Sequence, residues 1–495
     1  MSTTVAPAFG EVLPVIDGSD LSLNSLTGKF NIAARRHPIY LRNAAEWRFL
    51  YESYKGGAEY LANKANLKRH TFEKDELFLL RWQRAYYLNY CAPIIDSTVN
   101  HLFKGGVIRE NVPAGVQDFY YGVNDNGADI DFFMRDAAVQ SGVFGKVAVL
   151  VDMPRETLDE SEARRNGTAS KLFDLGKLPR LYTYTPLQIL DWSIAADGLN
   201  WVLLTHDERD DVNPLTAAKS KQVYQLWDRQ GWTRFNKDGV AQDSGEHGLG
   251  IVPLITFSNI GLDQNSAGES SIKDIAHVNN GIYNLCSLLD EIFYRQAFSQ
   301  LVVEGQPGEY NAQVMSTAGA FCYPLGRKPP SFISSDAAQA ELHMRQIDSM
   351  IGEIYRMANI RISTNENRQY KTAIQSQYDF ESFNSVLKNK ARACEKFETD
   401  LNYILSLWLR RPEIDNITVK YPAEFDTSTL ADDITDAVGM SGLGMGKTFM
   451  DLYKKKIVKK RFPDVDVETV EKIAADFTEA AASSRLTNVQ SPTVQ

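Results

Sequence analysis

Between Ser270 and Trp408 the chain carries three helical stripes in succession, and this stretch constrains its fold more than any other. The first stripe is Ile275, Val278, Ile282, Leu285, Leu289 and Ile292, stepping by threes and fours. The second is Ala340, Met344, Ile347, Ile351, Ile354 and Ala358. The third is Phe383, Leu387, Cys394, Phe397, Leu401, Ile404 and Trp408, with Lys390 interrupting the rhythm. Such spacing lines one narrow face of a helix, which suits neighbours packed nearly parallel. The pieces between the helices are too polar to build a core. The pattern predicts a long helical hairpin with a protruding tip, which belongs to an assembly part more than to a catalytic pocket.

A chain of 495 residues is long enough for several domains, at roughly 100–200 residues each. With 43% hydrophobic and 23% charged residues it has the composition of a globular protein and not of a disordered one. The formal net charge of −10 excludes a surface that attracts nucleic acid everywhere, so any DNA contact is local or deliberately non-adhesive. Cys91, Cys286, Cys322 and Cys394 are far apart and form no CxxC pair. This argues against a disulfide framework or a zinc site and points to a reducing cytosol. Cys286 and Cys394 fall within apolar helical patterns and read as small core residues. The N-terminus shows no secretion signal. No run approaches the ~18 apolar residues of a membrane span, so no membrane partner is expected.

Residues 1–29 read as an irregular arm. A helix is expected over about 44–64, broken at Gly56-Gly57, and a second helical region over 72–103, kinked or divided by Pro93. A third spans 129–141. Lys146–Asp152 (KVAVLVD) then has the texture of a buried strand. Short β-branched and aromatic runs at 180–184, 188–193, 201–207, 222–228 and 232–235 read as strands of a mixed sheet. The charged interval 154–179 reads as an exposed loop. IVPLITF at 251–257 is a last strand, with Pro253 marking an edge or bulge. Ser270 or Ser271 is placed to cap the first stripe helix. After Trp408 come a strand at 417–421, a helix at 430–440, a Gly-rich break, a basic helix at 448–460 and another helix at 467–482. The fold class is therefore α+β, mainly helical.

Little in the chain points to catalysis. Gly446-Lys447-Thr448 resembles the end of a P-loop, but the position five before Gly446 is Ser441 where the motif needs glycine, and a helical pattern precedes it where a P-loop has a buried strand. A helix–glycine turn–helix explains it. The seven histidines show no metal-ligand spacing, and Ser141 lacks the GxSxG setting of a nucleophile elbow. No enzyme activity, metal or cofactor is expected. Two basic features remain. Lys454, Lys455, Lys456, Lys459, Lys460 and Arg461 cluster on one predicted helix, either as a solvated face or as a sequence-independent phosphate contact. The loop IRISTNENRQYKTA at 360–373 carries Arg361, Arg368 and Lys371 with little apolar surface. It is either a plain connection or a loop that touches a moving polyanion.

The element order resembles that of tailed-bacteriophage portal proteins over about residues 40–480. The strand IVPLITFSN leads into the hairpin helix SIKDIAHVNNGIYNLCSLLDEIFYRQ. YKGGAEYL followed by LLRWQRAYYLNYCAPIIDSTVNHLF is similar to the N-terminal region of one portal subgroup, and LYTYTPLQILDW to its next sheet segment. A Gly-rich turn followed by KTFMDLYKKKIVKKRFPDVDVETVEKI matches the usual C-terminal layout. The likeness lies in the order and spacing of many weak signals.

The resemblance implies a homo-oligomeric ring, a dodecamer, at one capsid vertex of the virion. Double-stranded DNA passes through it during packaging and ejection, and a terminase, a head–tail adaptor and the major capsid or scaffolding protein are its partners. By position, the wing would be 30–269, with helices and a mixed sheet, and 373–425 a long helix and wing return. The stem would be 270–298 and 336–359, the clip 299–335, the tunnel loop 360–372 and the crown 426–484. Residues 485–495 would form a disordered tail. The tunnel-loop cations would be the DNA contacts. The two stem segments have net charges of −1 and −2. Asp290, Glu291, Glu341, Asp348 and Glu353 are the candidates for an acidic channel wall that keeps DNA sliding, because many phosphate contacts would slow its release. The alternatives are another phage head–tail connector or structural protein and, further off, a P-loop ATPase.

Overall fold

The computed structural model describes residues 31–153, 178–210, 219–259, 267–296, 300–302, 326, 331–333, 337–358 and 373–422, with isolated positions between 451 and 469. The described fold is α+β and mainly helical.

Six helices and nine strands among the described residues precede the expected stem. Helix α1 (Pro38–Lys55) starts on His37, whose Nδ1 accepts from the Ile39 amide at 3.2 Å. Pro38 sits in the first turn, where its missing N–H costs no bond. Gly56, at φ +63°, stops the helix before α2 (Gly57–Ala62). The region expected to be kinked or divided at Pro93 is two helices, α3 (Asp75–Arg84) and α4 (Cys91–Phe103). The break comes at 85–90, ahead of Pro93. Asn89 accepts from the Ala92 amide at 3.0 Å and so caps α4, leaving Pro93 harmlessly in its first turn. After α5 (Val116–Tyr121), α6 (Ile130–Phe144) is capped by Asp129, which accepts from the Phe132 amide at 2.7 Å.

The strands are β1 (Ile108–Glu110), β2 (Lys146–Asp152), β3 (Arg180–Tyr184), β4 (Ile189–Ala195), β5 (Gly198–Asp210), β6 (Lys219–Asp228), β7 (Gly231–Phe235), β8 (Ala241–Glu246), β9 (Leu254–Ser258), β10 (Gln300–Val302), β11 (Ser331–Ile333) and β12 (Thr418–Lys420). They make a three-stranded sheet in the order β3-β2-β9, a five-stranded meander from β4 to β8, and the pairs β1-β12 and β10-β11. All described pairings are antiparallel, so the expected mixed sheet is corrected. Within the β4–β8 meander, successive strands are linked by short returns, which suit antiparallel neighbours. Strand β8 (AQDSGE) carried no sequence signal: it is an exposed polar edge held by its ladder to β7.

Strand β2 is the hinge between two cores. Val147, Val149 and Val151 enter a helical core, while Ala148 and Leu150 enter a second core with Tyr184, Trp192 and Val202. The period of two explains why KVAVLVD is apolar on both faces. The helical core is crossed by the expected stem helices α7 (Lys273–Gln296) and α8 (Ala337–Met357) and by α9 (Ala373–Leu409). Leu387, Cys394, Phe397, Leu401, Ile404 and Trp408 of α9 are all buried there, and the Trp408 indole donates to the Val151 carbonyl at 3.0 Å. Glu398, on the same helix, is buried and accepts from Arg109 at 2.7 and 3.0 Å and from the Tyr421 hydroxyl. This charge pair fixes α9 to the β1-β12 ribbon.

Candidate functional site

The expected stem pair, α7 and α8, is built on two kinds of stripe. Ile275, Ile282 and Leu289 of α7 and Ala340, Ile347 and Ile354 of α8 are buried in the helical core, as their spacing predicts. The helices come close at Gly281, where an added Cβ would stand 2.6 Å from the Met350 methyl. Met344 departs from the expected seam and is exposed.

A second stripe on α7 is polar and was not anticipated. Asn279 is buried; its amide donates to the Leu88 carbonyl at 3.1 Å and its oxygen accepts from the Tyr90 amide at 3.3 Å. Asn280 donates to the Tyr60 hydroxyl at 2.7 Å and to the Asn66 carbonyl at 2.8 Å. Asn284 accepts from the Lys68 amide at 2.7 Å. Ser287 accepts from Arg81 at 3.1 Å. Arg81 is itself buried, and its guanidinium forks onto Glu73 with two bonds of 2.8 Å. Steps of three and four between 280, 284, 287 and 291 were the available signal, offset from the apolar stripe.

The root of α7 is a crowded joint. Gly145 (φ +89°) and Gly268 (φ +78°) face each other, and a Cβ on either would stand 2.6 Å from the other segment's backbone. The Asn259 amide N–H donates to the Gly145 carbonyl at 2.9 Å, and the Ser271 N–H to the Gly142 carbonyl at 2.9 Å. The Ser270 hydroxyl accepts from the Ile272 amide at 3.2 Å, serving the helix start as expected. Lys390 of α9 reaches into this joint. It donates to Asn259 Oδ1 and, at 3.2 Å, to Ser271 Oγ. Burial lowers its pKa to about 8. The residue that interrupts the apolar stripe of α9 is therefore the pin that ties α9 to the foot of the stem.

The expected wall carboxylates divide into two groups. Asp290 and Glu291 are both engaged by Arg84 of α3, the first at 3.1 Å. Glu341 pairs with Arg345 at 2.7 Å, and Glu353 with Arg356 at 2.6 Å, along the outer side of α8. Asp348 is exposed on the same helix. Exposed pairs of this kind contribute little to stability. Arg361, Arg368 and Lys371 lie outside the described residues, as do Lys454, Lys456, Lys459, Lys460, Arg461 and Gly446–Thr448. Lys455 is described, in helical conformation and half-buried. Of the expected clip, only the short β10-β11 pair and residue 326 are described. Among the described residues no group of His, Cys, Asp and Glu is arranged to hold a metal ion. No helix among them is long and apolar enough to cross a membrane.

No family model matches the chain, and no curated protein matches it. Among solved structures it is similar to a chain from the virion of a native gene transfer agent particle, at a TM-score of 0.39 and 12% identity, covering 73% of this chain and 89% of that one. It is also similar to a chain from the neck of that particle computed with C12 symmetry, at 0.38 and 11%, with the same coverage.

Proposed function

We propose that this chain is a portal-type subunit, which assembles into a ring of about a dozen copies around a channel for double-stranded DNA at one capsid vertex. The observation that carries this reading is the state of α8. It packs along α7 through Ala340, Ile347 and Ile354, with Met350, Ile351 and Tyr355 half-buried beside them, and leaves its opposite side exposed, Leu342 included. A helix of this length with one packed face calls for further neighbours. Copies of the same stem supply them in a ring. The element order read from the sequence agrees with this assignment. In this reading the hairpin tip at 299–335 docks a terminase or a head–tail adaptor, the wing meets capsid or scaffolding protein, and residues 360–372 approach the DNA.

Negative-stain microscopy and native mass spectrometry of the purified chain test the assignment. The expected result is a ring of about a dozen copies with a central opening. Another connector or structural protein would give a different copy number or no channel. A chain that stays monomeric under all assembly conditions overturns the reading. The ring is proposed to have no catalysis of its own, with ATP hydrolysis left to a separate motor. Lys447→Ala should then leave assembly and packaging unchanged. ATP hydrolysis by the pure protein that disappears on this change would establish a P-loop instead.

A further inference from the structure

Two histidines sit on tryptophans where the five-stranded sheet meets the helical core. The His37 ring stacks on Trp192 of β4, with centroids 3.8 Å apart and planes inclined by 16°. The His247 ring stacks on Trp227 of β6 at 5.8 Å and 23°, with Trp408 of α9 at 6.2 Å. Trp192 and Trp227 belong to the second core and Trp408 to the helical one. Each ring also accepts the amide N–H of the residue two positions on. His37 Nδ1 accepts from Ile39 at 3.2 Å, and His247 Nδ1 from Leu249 at 3.3 Å. Ile39 and Leu249 both pack against the helical core. Each imidazole thus joins a tryptophan of one core to a backbone turn anchored on the other.

The hydrogen bonds fix the protonation state of both rings. His247 Nε2 lies 3.0 Å from the Asp228 carbonyl, which can only accept, so the proton is on Nε2 and Nδ1 is bare. The accepting Nδ1 of His37 is bare for the same reason. A second proton on either ring would set N–H against N–H and break the turn; at His37 that turn is the cap of α1. The surroundings oppose this proton. His37 faces Asp191 of β4, Lys146 of β2 and Arg42 of α1, and Asp191 is already engaged by Arg35. His247 faces Asp228 of β6, whose Oδ1 accepts from the Gln230 and Gly231 amides, both at 2.8 Å. From α9 it meets the Trp408 ring, which carries no charge. Burial is the largest influence at both sites and holds each imidazole below its ordinary pKa of 6.5. The closed arrangement therefore binds fewer protons than an open one. Its stability is complete above pH 6.5 and is lost as pH falls below that value. Both residues are half-buried, so protons from solvent reach them.

We propose that His37 and His247 are a pair of acid-sensitive latches, whose protonation lets the five-stranded sheet part from the helical core. Strand β2, shared by the two cores, is the attachment that remains when the latches open. Such latches serve a single chain and a ring alike.

Amide hydrogen exchange at about pH 7.5 and about pH 5, corrected for the intrinsic rate at each pH, tests it on the wild type and on His37→Asn with His247→Asn. Asparagine accepts the same amide and does not titrate. In the wild type, protection over 38–46 and 247–253 should fall by up to about thirtyfold at the lower pH, the factor allowed by about 1.5 pH units below 6.5. Strand β2 should keep its protection. In the double variant both segments should keep theirs. Unchanged protection in the wild type, an equal fall in the variant, or a fall that includes β2 overturns the proposal. A second measurement needs no variant: titration of isotope-labelled histidines in the wild type by NMR. Both pKa values should lie below 6.5, and a value at or above 6.5 at either site overturns the pair.

Discussion

Lys390 shows how a single residue can be visible in a sequence and still be misplaced. As a break in an apolar stripe it marked a position without giving its role. In the structure it is an ammonium group buried with neutral partners, Asn259 and Ser271, and burial lowers its pKa from 10.5 to about 8. The unfolded chain then holds this proton more tightly than the folded one between about pH 8 and 10.5. Stability from this group therefore rises with pH across that window and is at its lowest below it. The full effect is on the order of 3 kcal/mol. Lys390→Met removes the term, so the melting temperature of the wild type should gain on that of the variant between pH 8 and 10. A constant gap would mean that the amine is not held as described. Gly145 is a second residue of this joint. Its φ of +89° and the 2.6 Å approach to residues 268–269 leave no room for a methyl group. Gly145→Ala should cost about 3 kcal/mol or more, seen as a lowered melting temperature; an unchanged one would refute the crowding.

At the scale of elements, the apolar stripes were legible and the polar one was not. Ile275, Ile282, Ile347, Ile354, Leu387 and Leu401 are buried where their spacing put them, because a helix face must shed water whatever its neighbour is. Asn280, Asn284 and Ser287 face partners more than 200 residues away in sequence. Asparagines look alike in a sequence whether they meet water or backbone, so only the fold could assign them. The same holds for the break between α3 and α4, which Asn89 sets and Pro93 does not, and for β8, which has no large apolar residue to announce it. The α3–α7 joint gives the test at this scale. Arg81→Ala would leave Glu73 buried beside the stem without its counter-charge, and breaking such a pair costs about 3–5 kcal/mol. Limited proteolysis should then cut first within 68–90. A variant as protease-resistant as the wild type would show that the ion pair does not hold α3 on the stem.

The whole molecule is acidic, with a net charge of −10, and a ring of such chains repels a polyanion at long range. In the proposed ring, local cations would then make whatever contact the DNA receives. Among the described side chains, Arg84 of α3 is occupied by Asp290 and Glu291 of α7, and on α8 Arg345 is occupied by Glu341 and Arg356 by Glu353. The sequence between α8 and α9 is different, with Arg361, Arg368 and Lys371 set among Asn, Ser, Thr and Gln and a single glutamate, Glu366. Contacts from these side chains to phosphate would be weak one by one, screened by salt and indifferent to base sequence. Repeated around a ring, they would steady a duplex without stopping it. Arg368→Glu with Lys371→Glu should therefore leave ring assembly intact and reduce the amount of DNA packaged or retained, with the deficit against the wild type largest at low salt and narrowing as salt screens the contacts. The measurement is the DNA content of filled particles against the copy number of the ring. A double variant that assembles and retains a full genome at every salt concentration would remove these residues from the DNA path and leave 360–372 as a connection between two helices.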